Sequence, residues 1–323
     1  MKIAITGANG FVGSNLITHF QSEGHEVIAL VRSEDSAKSL SIITPVYVVD
    51  YMDTHALYIA LKGVDVLIHN AGKTKTISHE EMMNANVGVT NSIVATINIK
   101  NDPIQLIYIS SQAASHPSHG EIPVKESDAP APLTSYGESK LAAETLILET
   151  CKQPFTIIRP CSVYGYGDKD FLSLFKMVNK GISFSIGRGE QLLNMIHVRE
   201  LAAFIGICLQ NPAAYGEIFF ATDGKVYRQN DVQIAIAKAL NKKPKNINIP
   251  IRLAKMVFYL GDAWGKMMHV ASILNKDKMK EIMAEGWLAD PEKARSILGW
   301  NPQANLEKHI METAKCYREN GWL

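Results

Sequence analysis

Tyr136 and Lys140 stand four residues apart in Tyr136-Gly137-Glu138-Ser139-Lys140, at the start of a strong helical pattern. That spacing puts the phenol and the ammonium on one helix face, one turn apart. A tyrosine with a pKa of about 10 is a poor base at neutral pH, and a neighbouring ammonium favours the phenolate. Such a pair suits proton exchange with a substrate hydroxyl. Tyr and Lys also meet at this spacing by chance on many helices. A second group, Ser110-Ser111, ends the apolar run Leu106-Ile107-Tyr108-Ile109. A hydroxyl there can hydrogen-bond a substrate oxygen and the phenol, although Ser-Ser after a strand also makes an ordinary turn.

A third group opens the chain. Lys2-Ile3-Ala4-Ile5 reads as a buried strand, Thr6-Gly7-Ala8-Asn9-Gly10-Phe11-Val12-Gly13 follows, and then a helical pattern starts. Strand, Gly-rich turn and helix in that order form a phosphate cradle. Gly7 allows the turn, Gly10 lets a pyrophosphate approach the backbone, and Gly13 lets the helix pack close to the strand. The alternative is a plain βα turn; the position within a strand-helix-strand unit favours dinucleotide binding.

The elements that must position these groups alternate. Strand signals cover residues 2–6, 26–31, 46–49, 65–69, 104–109 and 155–159, and helical stretches lie near 11–23, 54–61, 79–100 and 134–152. The strands are near-continuous apolar runs, as parallel strands covered on both faces are. The expected fold class is therefore α/β, a Rossmann-type doubly wound parallel sheet with ligands at the carboxyl ends of its strands. After about Tyr164 the alternation fades. Residues 168–180 look helical, Gly181 to Glu190 reads as a Gly-containing loop, and Glu217 to Ala221 as a return strand. From Asn230 the chain reads mostly as helices, broken at Pro244, Pro250, Pro291 and Pro302. The expected organisation is a dinucleotide-binding domain over 1–165 with a return segment near 190–222. Residues 166–189 and 223–323 would form a smaller, mostly helical substrate lobe.

Composition narrows the function classes. The 323 residues are 46% hydrophobic and 20% charged, with a formal net charge of +1 and no basic block, so no nucleic-acid partner is expected. Cys151, Cys161, Cys208 and Cys316 are widely spaced, which suits a reducing compartment and supports neither zinc nor disulfides. The ten histidines form no HxH or HExxH pattern, so no metal is expected. The chain enters a strand at once, without a signal-peptide pattern. The most apolar helical candidate, Ile251 to Leu260, is too short to span a bilayer. These readings point to a cytoplasmic protein with no membrane partner.

Together the glycine pattern, Asn70-Ala71-Gly72 after a strand, Ser111 and the Tyr136/Lys140 pair resemble the short-chain dehydrogenase/reductase superfamily. Length and spacing resemble its extended branch, the NAD-dependent epimerase/dehydratase family. Arg159-Pro160, Val163-Tyr164-Gly165, Ile196-His197-Val198 and Leu298-Gly299-Trp300-Asn301-Pro302 strengthen the likeness. The resemblance implies that Ser111 polarises the substrate oxygen and Tyr136 is the acid/base. Lys140 would hold the nicotinamide ribose and depress the tyrosine pKa. It implies a pyrophosphate cradle of Gly7, Asn9, Gly10, Phe11 and Val12. Asp50 would bond the adenine with Tyr51 beside it, Asn70, Ala71 and Gly72 would line the ribose, and Asn86 would lie along the cofactor. Pro160, Cys161 and Val163 would face the nicotinamide. It also implies a homodimer through the helices near 79–100 and 134–152.

The end of the second strand separates NAD from NADP, because a carboxylate there accepts from the 2′-hydroxyl and repels a 2′-phosphate. This chain has Leu30-Val31-Arg32-Ser33 with no acid before Glu34. Arg32 and Ser33 suit a phosphate, so NADP is expected, with NAD the alternative if Arg32 is only a solvated loop residue. Nucleotide-sugar enzymes of the family typically carry a diphosphate-binding arginine before Ile-His-Val, and the matching position here is Leu193. No clear arginine counterpart lies near Glu285-Gly286-Trp287, and Gln112-Ala113 replaces the acidic pair of sugar dehydratases. Ile251, Leu253, Met256, Val257, Phe258, Trp264, Met267 and Met268 are candidates for an apolar pocket, or for ordinary core. The expected reaction is reversible hydride transfer between NADP(H) and a secondary alcohol or ketone of an apolar substrate. The alternatives are a UDP-glucose-type 4-epimerase and a non-catalytic dinucleotide-binding regulator. His197 reads as a structural contact. His116 and His119 lie in a loop that covers the substrate or is a plain surface excursion. Lys73, Thr74 and Lys75 are within reach of the site or solvated.

Overall fold

Seven parallel strands form the centre of the structure, a computed structural model that describes residues 1–187, 189–268, 270 and 275–323. In chain order the first half runs β1 (Lys2–Thr6), α1 (Phe11–Ser22), β2 (Glu26–Val31), α2 (Glu34–Leu40), β3 (Val46–Val48) and α3 (Thr54–Ala60). It continues with β4 (Val66–His69), α4 (His79–Met83), α5 (Val89–Asn98), β5 (Gln105–Ile109), α6 (Ser135–Thr150) and β6 (Phe155–Pro160). Then follow β7 (Ser162–Tyr164), α7 (Lys169–Asn179), β8 (Ile182–Ile186), β9 (Leu192–Leu193), β10 (Met195–His197), α8 (Val198–Cys208) and β11 (Glu217–Ala221). The remainder is β12 (Tyr227–Arg228), α9 (Gln229–Leu240), β13 (Lys245–Ile249), α10 (Ile251–Met267), α11 (Lys276–Met283), β14 (Gly286–Trp287), α12 (Glu292–Leu298) and α13 (Leu306–Glu319).

The sheet order is β11-β6-β5-β4-β1-β2-β3. From β1 the chain winds outward to β2 and β3, then returns to β4 on the other side of β1. The crevice at the carboxyl ends of β1 and β4 is the switch point where such folds take ligands. Thr6 pairs with His69 across these two strands, so Gly7 and Asn70 leave the sheet side by side.

The apolar runs are buried on both faces, as parallel central strands require. One face packs against α1 and α8 through Leu16, Phe20, Leu201 and Phe204, the other against α3, α5 and α6 through Leu57, Ile93, Ile97 and Ile147. Each such side chain contributes about 1.5–3 kcal/mol on burial. A separate cluster of Phe171, Phe175, Ile236, Ile310 and Tyr317 joins α7, α9 and α13. Ala294 and Trp300 return from the far end of the chain to the sheet's own core, where the indole donates to the Thr222 carbonyl at 3.0 Å.

Three local expectations change. The stretch from Gly181 to Glu190 is not simply a loop: Ile182–Ile186 pairs in parallel with Lys245–Ile249, while Arg188 lies outside the described residues. The helical stretch near 79–100 is interrupted by a wide π-type turn over Asn84–Gly88 and ends at Asn98. The third strand stops at Val48, two residues short of Asp50. The helical reading of the last part of the chain also covers His269 and residues 271–274, which lie outside the described residues.

Candidate active site

The Gly-rich turn is shaped by close contacts. Gly7 sits at φ +65°, and a Cβ on it would lie 2.9 Å from the Ala71 Cα. A Cβ on Gly13 would lie 2.3 Å from the Gly7 carbonyl oxygen. Gly10 caps α1 with no side-chain acceptor, and no acid stands in the first turn. The positive end of α1 and its free N–H groups therefore face the crevice, which fits a pyrophosphate. Val12, Asn70, Gly72, Pro160, Cys161 and Val163 line a cavity of about 320 Å³ beyond the turn, together with Ser111, Tyr136 and Lys140.

Several expected cofactor residues instead brace this crevice. Tyr51 is buried beneath the turn, where its hydroxyl accepts from the Gly7 N–H at 3.2 Å and donates to the Leu30 carbonyl at 2.6 Å. Asn86 is buried in the π-type turn; its amide bonds both the N–H and the carbonyl of Lys73 and donates to Ser139 at 2.8 Å. A Cβ on Gly72 would lie 3.0 Å from the Asn86 Oδ1 and 3.4 Å from the Lys140 Nζ, so these three positions converge. Asn9 is exposed and donates to Ser36 at 2.9 Å, tying the turn to α2. Asp50 is exposed and accepts from the Met52 N–H at 3.0 Å. Arg32 is exposed and makes no hydrogen bond or ion pair among the described residues. Ser33 is occupied as the N-cap of α2.

Tyr136, Lys140 and Glu144 form one stripe of α6, and the helix begins with Thr134 accepting from the Gly137 N–H. Tyr136 and Ser111 line the same cavity, and the Ser111 side chain favours the phenolate form of Tyr136. Lys140 is buried, donates to the Ile109 carbonyl at 2.8 Å and lies 4.7 Å from the centre of the Tyr108 ring. Burial lowers its pKa to about 8, against the favourable Glu144 charge. The expectation that Lys140 depresses the Tyr136 pKa is not met in this state. Burial dominates and pushes the phenol up to about 12; the Ser111 side chain opposes it and the Glu281 charge adds to it. Physically, the ammonium is engaged by a carbonyl and a ring face, and the phenol loses hydration.

Below these groups, Glu144 receives Ser110 and the buried Arg159 guanidinium, the latter at 2.6 Å. On the other side, the Thr6 hydroxyl accepts from the Asn70 and Ala71 N–H groups at 3.1 and 3.0 Å. Its proton is therefore free for His69 Nδ1, at 2.9 Å, and His69 Nε2 donates to Thr90, which donates to the Asn86 carbonyl. Burial lowers the His69 pKa to about 3, so this relay is uncharged. Sequence reasoning missed Thr6, His69 and Glu144. Only Glu144 had a signal, as the next step of four after Tyr136 and Lys140.

Tyr136 and Thr74 also line a second cavity of about 550 Å³ between α4 and the α10–α11 segment. Its wall is polar. Lys75, Lys276, Lys278 and Lys280 lie within 4.0 Å of Asp170, Asp262, Glu281 and Asp277, respectively. Asp277 also accepts from the Ser135 N–H at 2.9 Å, joining α11 to the start of α6. The apolar residues expected to form a pocket do not line it. Phe258 is buried against the lobe, and Ile251, Leu253, Met256, Val257, Trp264, Met267 and Met268 are exposed. Helical spacing gave α10 an apolar face without saying which way that face turns.

The remaining candidates lie outside both cavities. Leu193 sits in the β12-β9-β14 sheet opposite Tyr227 and Trp287. His197 is buried, stacked on His309 at 4.4 Å and held near pKa 3 by burial. His116 accepts no cavity position, and His119 lies 3.7 Å from Glu285. Their loop is tied to the second lobe by bridges from Ser118 to Gly286 and Val124 to Ala289. Lys73 pairs with Glu81 at 2.7 Å.

Known proteins share this architecture along its whole length. The chain is 25% identical to UDP-glucose 4-epimerase of Vibrio cholerae, covering 98% of this chain and 95% of that one. It is 26% identical to ceramide reductase of Caulobacter vibrioides, with 99% and 96% covered. The crystal structure of UDP-glucuronic acid 4-epimerase from Bacillus cereus, solved with UDP-glucuronic acid and NAD, superposes with a TM-score of 0.78 at 19% identity and covers 99% of this chain and all of that one. The model of the NAD dependent epimerase/dehydratase family matches residues 3–220, well over half of the chain, and the protein belongs to that family of enzymes.

Proposed function

We propose that this enzyme moves hydride reversibly between NADP(H) and a secondary alcohol or ketone. The observation that carries the reading is the position of Tyr136. It lines both cavities, shares the smaller one with Ser111, and stands one helical turn from Lys140. When bound, the nicotinamide supplies the hydride donor or acceptor. Gly7, Asn9, Gly10, Phe11 and Val12 would hold its pyrophosphate, Asp50 the adenine, and Asn70, Ala71 and Gly72 the ribose. Pro160, Cys161 and Val163 would face the ring. Tyr51 and Asn86 act as positioning residues beneath and beside it.

In reduction, Tyr136 gives its phenolic proton to the carbonyl oxygen while Ser111 donates a hydrogen bond to that oxygen. A phenol pushed up to about 12 is protonated at neutral pH, so the donor form stands ready. Lys140, at about 8, keeps most of its charge there. In oxidation Tyr136 must accept a proton, which requires the extra positive charge of the oxidised ring. The exposed, unpaired Arg32 supports NADP over NAD. Residues 1–165 with 190–222 would hold the cofactor, and 166–189 with 223–323 would shape the substrate side. The same reading takes the protein as a cytoplasmic homodimer joined through α5 and α6, whose outer surface carries exposed Leu148.

The similarity to an epimerase along nearly the full chain supports a second reading, epimerisation of a nucleotide sugar. Leu193 and the carboxylate-matched lysines of the larger cavity offer a diphosphate few charge-assisted partners, which favours the first. A ketone panel with NADPH, run beside UDP-glucose with catalytic cofactor, separates them. Turnover of UDP-glucose without net cofactor change, and no ketone reduction, would overturn the reductase reading.

A further inference from the structure

α10 has two apolar faces, and the protein uses one of them. Ala254, Phe258 and Gly265 are buried and seat the helix on the lobe. Leu253, Met256, Val257, Leu260, Trp264 and Met267 form a second stripe, all within about 120° of one another at roughly 100° per residue. All six are open to water, Leu260 at 63%, Trp264 at 55% and Met267 at 70%. Single exposed apolar side chains are ordinary, whereas a continuous stripe marks an interaction surface.

Charge identifies the occupant. Residues 242–261 carry five Lys and Arg and no acid, a net +5 in a chain whose total is +1. Arg252 and Lys255 stand exposed on α10 itself, and Lys242, Lys243 and Lys245 are exposed just before it, whereas Lys276, Lys278 and Lys280 are matched by Asp262, Glu281 and Asp277. A second copy would bring the same positive charge to the same face. α10 is 17 residues long, and no helix among the described residues is long and apolar enough to cross a membrane. Against the expectation of no membrane partner, we propose that α10 docks the protein peripherally on an anionic lipid bilayer, its apolar stripe in the headgroup boundary and its basic residues over the headgroups. Because Asp262, Gly265 and Val270 line the larger cavity, docking sets the lipid surface beside that cavity. The proposal stands independently of the reaction proposed above.

The full chain is floated with phosphatidylcholine vesicles, with and without phosphatidylglycerol, at rising salt. Binding is expected to the mixed vesicles, weakening as salt screens the lysines. Leu260→Glu with Trp264→Glu is expected to lower the bound fraction about tenfold or more, and Lys242→Glu with Lys243→Glu to lower it less. Melting temperature and cofactor binding of these surface variants should match wild type, which separates lost docking from misfolding. Absence of binding to phosphatidylglycerol vesicles, or equal binding by the Leu260→Glu/Trp264→Glu variant, overturns the proposal. So does a concentration-dependent dimer that Leu260→Glu abolishes, which would assign the stripe to a second copy.

Discussion

Gly13→Ala tests the packing that makes the cofactor cradle. The added Cβ would sit 2.3 Å from the Gly7 oxygen and 2.7 Å from the Ala8 Cα, both backbone atoms. Ordinary contact begins at 3.4 Å, so α1 and the turn must part by about 1 Å. Overpacking of that kind costs about 1–3 kcal/mol, and the better helix propensity of alanine returns up to about 1. The expected net loss is about 1–2 kcal/mol, a drop of a few degrees in melting temperature. The Gly7 oxygen also accepts the Gly10 N–H at 3.0 Å. Displacing it turns phosphate-facing N–H groups away, and losing one charge-assisted bond weakens cofactor binding about 10- to 100-fold. Gly10→Ala is the control. Its Cβ meets only the Gly7 oxygen at 3.2 Å, so stability should hold while the pyrophosphate's approach is blocked. Melting curves and cofactor titration by fluorescence read both effects. A Gly13→Ala protein that melts and binds like wild type would show that the cradle tolerates a wider turn and refute the reasoning.

Other perturbations reach different parts of the site. Tyr136→Phe should lower turnover about 10²- to 10⁴-fold with cofactor affinity kept, and full activity in a coupled assay would remove Tyr136 from the chemistry. Arg32→Ala should reduce the preference for NADPH over NADH by about tenfold, and unchanged affinities for both would sink the NADP assignment. Glu144→Ala leaves the Arg159 guanidinium buried without its carboxylate and should cost about 3–5 kcal/mol in urea unfolding, of which Arg159→Met in the same protein recovers part. His69 and His197 both have folded pKa values near 3, below the unfolded 6.5. Their stability contribution is therefore complete above pH 6.5 and lost as pH falls towards 3, by about 1.4 kcal/mol per pH unit each. Urea midpoints at neutral and mildly acid pH should show this slope, and His69→Gln should flatten it; parallel lines would contradict it.

The sheet was legible because its strands bury both faces. Ile3 to Ile5, Val66 to Ile68 and Leu106 to Ile109 are apolar without interruption, as parallel strands covered on both faces by helices are. Short strands such as β9, β12 and β14 carry no periodicity and exist only because distant segments meet in pairs. The π-type turn at Asn86 was equally hidden, since its sequence continues an ordinary helical pattern.

What the sequence determined by itself is local: a glycine turn entering a helix, a phenol and an ammonium one helical turn apart, a hydroxyl at a strand end, and an arginine where a carboxylate often stands. Backbone geometry over a few residues dictates each of these. The tertiary structure decided what depends on contacts across the chain. It engaged Lys140 with Ile109 and Tyr108, and it buried the Tyr136 phenol, which is the largest influence on that group's pKa. It set Glu281 and Asp277 of α11 over α6 across more than a hundred residues. It also turned the second stripe of α10 to water, because a helical period gives the faces of a helix but only packing chooses which one is covered.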